Sequence, residues 1–177
     1  GEIDIGVVLG KDAKRENSAA FLQVRTNRNG TDYQLALIEF AEQQLTGLGL
    51  QTAIWDLGFW LEAAYVNGDK DYLRLSTGID YSFSENTFAQ LEYHYNGAGS
   101  NDHRDYLSNL DSIPYQRGGV FLLGENYVIP SFTLQLSPLW FLAAQAIVNL
   151  DDDSSFLSLS AQYNIAEDFY MDFGYYH

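Results

Sequence analysis

The chain has 177 residues, no cysteine, and 24 acidic against 9 basic side chains, for a formal net charge of -15. That balance excludes the cationic footprint a phosphate backbone requires, so no nucleic-acid partner is expected, and the missing cysteines remove disulfides and thiolate metal sites. Aromatic residues at 15% and charged residues at 19% reverse the composition that keeps a chain disordered.

No initiator methionine and no basic-then-apolar leader precede the first element, so the chain reads as processed or trimmed. No apolar run approaches the length of a membrane-spanning helix. Membrane-spanning strands are shorter, and their alternation hides them from a hydropathy scan.

In chain order, period-two alternation predicts strands near 2–10, 18–26, 32–41, 46–55 and 58–66. The pattern is clearest at 72–83, where Leu73, Leu75, Thr77, Ile79, Tyr81 and Phe83 alternate with Tyr72, Arg74, Ser76, Gly78, Asp80 and Ser82. At 88–96, Ala89, Leu91, Tyr93 and Tyr95 alternate with Gln90, Glu92, His94 and Asn96. Further strands are predicted near 124–136 and 140–150, around Leu157–Asn164, and at 168–176, where Phe169, Met171, Phe173 and Tyr175 oppose Asp168, Tyr170, Asp172, Gly174 and Tyr176. Turn chemistry separates them: Asn-Gly at 29–30 and 67–68, Asp56-Leu57-Gly58, Ser84-Glu85-Asn86, Ser137-Pro138, Asp151-Asp152-Asp153 and Ala166-Glu167-Asp168. The expected fold is all-β: an antiparallel up-and-down meander of about 10–12 strands in one domain spanning 1–177, with one long polar connection at 97–117.

The polar face decides between a soluble and a membrane barrel. It carries Ser, Gly, Gln, Asn, Tyr and scattered carboxylates, while all three lysines, Lys11, Lys14 and Lys70, fall in predicted turns. The other face is a continuous aliphatic band. Aromatics gather at strand ends: Trp55, Phe59, Phe83, Phe88, Trp140, Phe141, Tyr163 and Phe169 at one end, and Tyr65, Tyr72, Tyr93, Tyr95 and Tyr175 at the other. Two aromatic belts around an aliphatic band, with a polar interior, is the lipid-facing pattern. Short turns at 84–87 and 137–139 alternate with longer connections at 67–71, 97–117 and 150–155, so the former are expected to be periplasmic and the latter extracellular.

The runs GFWLEAAYVNGDKDYLRLSTGIDYSF, AQLEYHYNGAGS and LQLSPLWFLAAQAIVNLDDDSSFLSLSAQYNIAEDFYMDFGYY resemble the later strands of Gram-negative outer-membrane porin-like barrels, over roughly residues 47–176. The resemblance implies an exported protein of the bacterial outer membrane, in contact with lipid and lipopolysaccharide, and a channel. An odd strand count means either a strand miscounted near 32–55 or a chain cut before a closing strand, and a C-terminus without phenylalanine favours part of a larger barrel.

The alternation assigns Glu2, Asp4, Arg25, Glu62, Arg74, Asp80, Glu92, His94, Asp168 and Asp172 to the polar face. Of these, Glu62, Arg74, Asp80, Glu92, His94, Asp168 and Asp172 are the candidate pore-lining residues. Carboxylates outnumber arginines there, which favours cations. Glu62 is expected diagonal to Arg74 and within reach of an ion pair, with Glu92 joining from the next strand. Asp151, Asp152 and Asp153 are weak candidates for a divalent cation, without the spacing of a dedicated calcium loop; a solvated acidic loop is the favoured reading. Ser100, Asp102, His103 and Asp105 contain triad residue types on a surface loop, which lacks preorganisation, and no catalytic motif is present. No enzyme and no cofactor are expected.

The expected function is passive diffusion of ions or small solutes through a polar, net-negative lumen, by one copy, a homo-oligomer or a larger complex. One alternative is a plugged or narrow structural barrel that scaffolds a partner or displays loops. A second is a soluble lipocalin-like ligand-binding barrel.

Overall fold

The computed structural model describes residues 1–40, 42–166 and 169–177. Eleven strands form one antiparallel sheet in which each strand pairs with the next along the chain. They are β1 (Glu2–Val8), β2 (Ala19–Arg28), β3 (Thr31–Phe40), β4 (Gln43–Ile54), β5 (Leu57–Asn67), β6 (Tyr72–Ser84), β7 (Thr87–Asn96), β8 (Asn126–Ser137), β9 (Trp140–Asn149), β10 (Ser155–Ala166) and β11 (Phe169–Tyr176). The all-β meander expected from alternation is the observed fold. Among the described residues the sheet is open: β1 pairs only with β2, and β11 only with β10. Both edge strands run in the same direction, so antiparallel closure would require an odd number of further strands between them.

The turns divide the molecule into two ends. At one end lie the tight connections 29–30, 55–56, 85–86 and 138–139. Asn29 and Gly30 have φ of 55° and 79°, the left-handed pair a two-residue hairpin needs. The turn predicted at Asp56-Leu57-Gly58 sits one residue earlier. Trp55 takes φ 58°, and Leu57 already pairs with Ile54. Ser84 and Ser137 play the same part in two other turns: their hydroxyls accept from the amides of Asn86 and of Leu139 and Trp140, beside register shifts at 82/84 and 135/137. The predicted turn at Ala166-Glu167-Asp168 falls on residues outside those described.

At the other end lie the longer connections 9–18, 68–71, 97–125 and 150–154. The long connection exceeds the predicted 97–117 because β8 begins at Asn126. Asn67-Gly68 does not close a two-residue hairpin. Instead Asp71 accepts from the Gly68 amide and from Asn67, forming a four-residue loop.

Because side chains alternate along each strand, the register sorts the sheet into two faces. The outward face carries Ile3, Ile5 and Val7, then Leu22 and Val24, Leu35 and Leu37, and so on to Met171 and Phe173. Most of these residues are exposed, Ile5 at 76% and Leu48 at 62%, while Leu22 and Val24 are half-buried. Pro130 stands on this face, and without an N–H it interrupts the β8–β9 ladder between Val128 and Ser131. Of the expected aromatic belts, Phe59, Phe83, Trp140, Tyr163, Tyr65, Tyr93, Tyr95 and Tyr175 are outward. Tyr72, Phe88 and Phe141 turn inward, since they pair with Val66, Ser82 and Gln135 on the other face.

The inner face is curved. One cavity of about 760 Å³ is lined by residues from β1 to β7, strands that would span about 29 Å on a flat sheet. Large inner side chains lie across glycines of the neighbouring strand: Phe21 over Gly6, Trp60 over Gly78 and Asp80 over Gly58. The buried apolar cluster is small, comprising Val66, Tyr72, Ala98 and Val120, with Leu45 and Tyr115 packed against it. It forms where the 97–125 connection folds onto the inner face. No helix among the described residues is long and apolar enough to cross a membrane.

Candidate functional site

The inner wall of β5, β6 and β7 is built in rows. Register places Ala64, Arg74 and Asn96 in one row, then Glu62, Ser76 and His94, then Trp60, Gly78 and Glu92, and last Gly58, Asp80 and Gln90 nearest the tight turns. All the candidate residues on these strands therefore share one face, as alternation predicts. Asp172 is also inward, held by the Gln162 amide at 2.9 Å, but it stands on edge strand β11 away from the rows. Asp168 lies outside the described residues.

The expected Glu62–Arg74 ion pair is not formed. Glu62 is opposite Ser76, with Arg74 on the diagonal as anticipated, but the Arg74 guanidinium donates to the Gly119 carbonyl at 3.0 Å. The inward-folded connection offers a half-buried acceptor that strand pattern alone does not reveal. Glu92 joins no ion pair among the described residues, because its row holds Gly78 and Trp60. His94 is satisfied locally, with Nδ1 2.7 Å from the Ser76 hydroxyl. The other inner arginine is neutralised at home: Arg25 donates to Asp4 at 2.7 Å and lies 3.5 Å from Glu2. Asp32, which the sequence reading left unassigned, is a further inner carboxylate, opposite Gln51 and hydrogen-bonded by Asn27.

The 97–125 connection crosses this wall at its far end. Asn96, fully buried, donates from Nδ2 to the carbonyls of Leu122 at 2.7 Å and Gly124 at 3.3 Å, and accepts from the Ala98 amide. Tyr115 donates its hydroxyl to Leu122, and Tyr106 accepts from Asn149 on β9. Val120 packs in one buried cluster with Tyr72, and Pro114 of the same connection is fully buried. The inner face thus has a capped, partly apolar end and an open, polar end.

The acidic loop is explained by its own hydrogen bonds. Asp151 accepts from the amides of Glu125 and Asn126 and from the Asn126 side chain, tying 150–154 to the start of β8. Asp152 accepts from the Ser154 amide. No group of three or more His, Cys, Asp or Glu in metal-holding geometry occurs among the described residues. Asp102, one of the two acids among the triad types of the long loop, is occupied by the Arg104 side chain and amide, which hold its carboxyl well below the usual range.

Asp71 gives a pH test of the capped end. The Gly68 amide at 3.1 Å and the Tyr65 hydroxyl at 2.8 Å hold its carboxyl below the ordinary value of 3.8. A depressed carboxyl contributes stability that is complete above its unfolded pKa and lost as pH falls through its folded pKa. Exchange of the Gly68 amide, corrected for its intrinsic rate, should therefore stay slow at neutral pH and accelerate only below about pH 4. In Asp71→Asn it should be fast at neutral pH.

No protein-family model, curated protein or solved structure matches the chain.

Proposed function

We propose that the chain is the wall of a Gram-negative outer-membrane β-barrel, a porin-like channel through which ions or small solutes diffuse passively. The supporting observation is the division of the faces. An aliphatic surface runs outward across all eleven strands, while the opposite face is polar and lines a cavity. In water such an outward surface is a liability; against acyl chains it is the required one. Among the described residues the inner face carries seven carboxylates (Glu2, Asp4, Asp32, Glu62, Asp80, Glu92, Asp172) against Arg25 and Arg74, a balance of -5 with histidine neutral. A negative wall of low polarizability concentrates cations and repels anions.

Planar bilayers under a KCl gradient test the reading. Discrete current steps with a reversal potential on the potassium side are expected. Silent bilayers, after insertion has been established, would overturn the channel.

A second reading has its own observation. The 97–125 connection is packed across the inner face by Asn96, Tyr115 and Val120, as a plug would be. A capped barrel that scaffolds a partner or displays loops would conduct only after that connection is shortened.

A further inference from the structure

We infer that the open end of the inner wall is a binding site for an organic cation, one carrying a guanidinium or ammonium group on an organic stem. The site is the cavity of about 760 Å³, and Trp60, Glu62 and Asp80 are among the residues that line it. The six-membered ring of the indole lies across Gly78 of the next strand, where a methyl at residue 78 would overlap its Cζ2 and Cη2 atoms. The glycine therefore leaves room for the ring against the wall, beside the cavity.

The charges around this face have no cation of their own. Glu62, two residues along β5, and Asp80, in the adjoining row, line the cavity with Trp60, while Glu92 stands at the end of Trp60's row outside that lining. None of the three forms an ion pair among the described residues, because Arg25 is taken by Asp4 and Glu2, and Arg74 by Gly119. Gln51, opposite Trp60, and Gln90, opposite Asp80, add neutral acceptors. An indole face attracts a weakly hydrated organic cation, while the surrounding carboxylates accept its N–H groups. A potassium ion, hydrated on all sides, gains from the carboxylates but little from the ring. A neutral solute gains from the ring and leaves the carboxylates uncompensated. The cavity lies within the range of ordinary small-ligand sites.

This inference rests on the reading of the inner wall as a water-filled lumen, and its test works without a bilayer. In the Trp55→Phe/Trp140→Phe background, Trp60 is the sole indole. Its fluorescence in detergent micelles is titrated with Nα-acetyl-argininamide, whose one charge is the guanidinium, and with Nα-acetyl-citrullinamide, which replaces that group by a neutral urea and carries no charge (argininamide and citrullinamide below). Argininamide should give a saturable change and bind about tenfold tighter than citrullinamide. Glu62→Gln/Asp80→Asn, nearly isosteric, should lower argininamide affinity about tenfold and abolish the preference. Equal affinity for the two amides, or an unchanged double variant, would overturn the inference. Binding in micelles together with silent bilayers would sink the channel and leave the site standing. Cation-selective conductance with no argininamide binding would do the reverse.

Discussion

Leu91→Arg is expected to cost about 2–4 kcal/mol of insertion, while Gln90→Arg, one residue away, inserts nearly as well as the parent chain. Leu91 lies near the middle of β7, is 47% exposed on the outward face, and stands between Ile79 and Pro130. A guanidinium there would face acyl chains at the depth where desolvating a charge costs most. Gln90 points inward, opposite Asp80 on one side and Ser131 on the other, so an arginine there meets water and a carboxylate. Folding titrations into phosphatidylcholine vesicles measure the difference. Equal losses for the two variants would mean that the outward face is not the lipid face. Gln90→Arg should in addition shift the reversal potential toward anions, because it adds a cation to the row holding Asp80.

The second large effect is expected from Asn96→Ala. Asn96 is fully buried at the root of the long connection, and its side chain serves the carbonyls of Leu122 and Gly124 and the amide of Ala98. Truncation leaves the buried Gly124 carbonyl and Ala98 amide without this partner, at about 1–3 kcal/mol each where no water replaces the side chain, while the Leu122 carbonyl keeps the Tyr115 hydroxyl. A loss of about 2–4 kcal/mol in docking of the connection follows. Trypsin cleavage after Arg104 or Arg117 should accelerate at least tenfold, while Asn101→Ala, at an exposed position of the same loop, should leave the rate unchanged. Under the channel reading, Asn96→Ala should also raise conductance, because the undocked connection no longer crosses the wall. Under the capped-barrel reading, it should convert a silent protein into a conducting one.

Much of this molecule is legible in its sequence because strand alternation is a local property. Leu73 to Phe83 and Tyr72 to Ser82 separate onto two faces whatever the neighbours are, so the inward placement of Glu62, Arg74, Asp80, Glu92, His94 and Asp172 follows from parity alone. The same parity places Tyr72, Phe88 and Phe141 inward. Grouping aromatics by their nearness to strand ends, without regard to face, is what put them in the belts. Turn positions are less legible. Trp55 adopts a left-handed φ that its residue type does not advertise, and Asn67-Gly68 opens into a loop because Asp71 captures the Gly68 amide.

Composition and period two thus determined the all-β meander, the number of strands, the apolar outward surface and the acidic polar face. Tertiary structure alone decided that the sheet stays open between β1 and β11, and that residues 97–125 fold inward onto Val66 and Tyr72. It also decided which charges are left without an ion pair among the described residues: Arg74 turns to Gly119 and Arg25 to Asp4, so Glu62, Asp80 and Glu92 stand unpaired in Trp60's row and the rows beside it. The reason is physical. Which face a side chain takes is set by its two backbone neighbours, whereas which group satisfies it depends on what the rest of the chain carries within hydrogen-bonding reach.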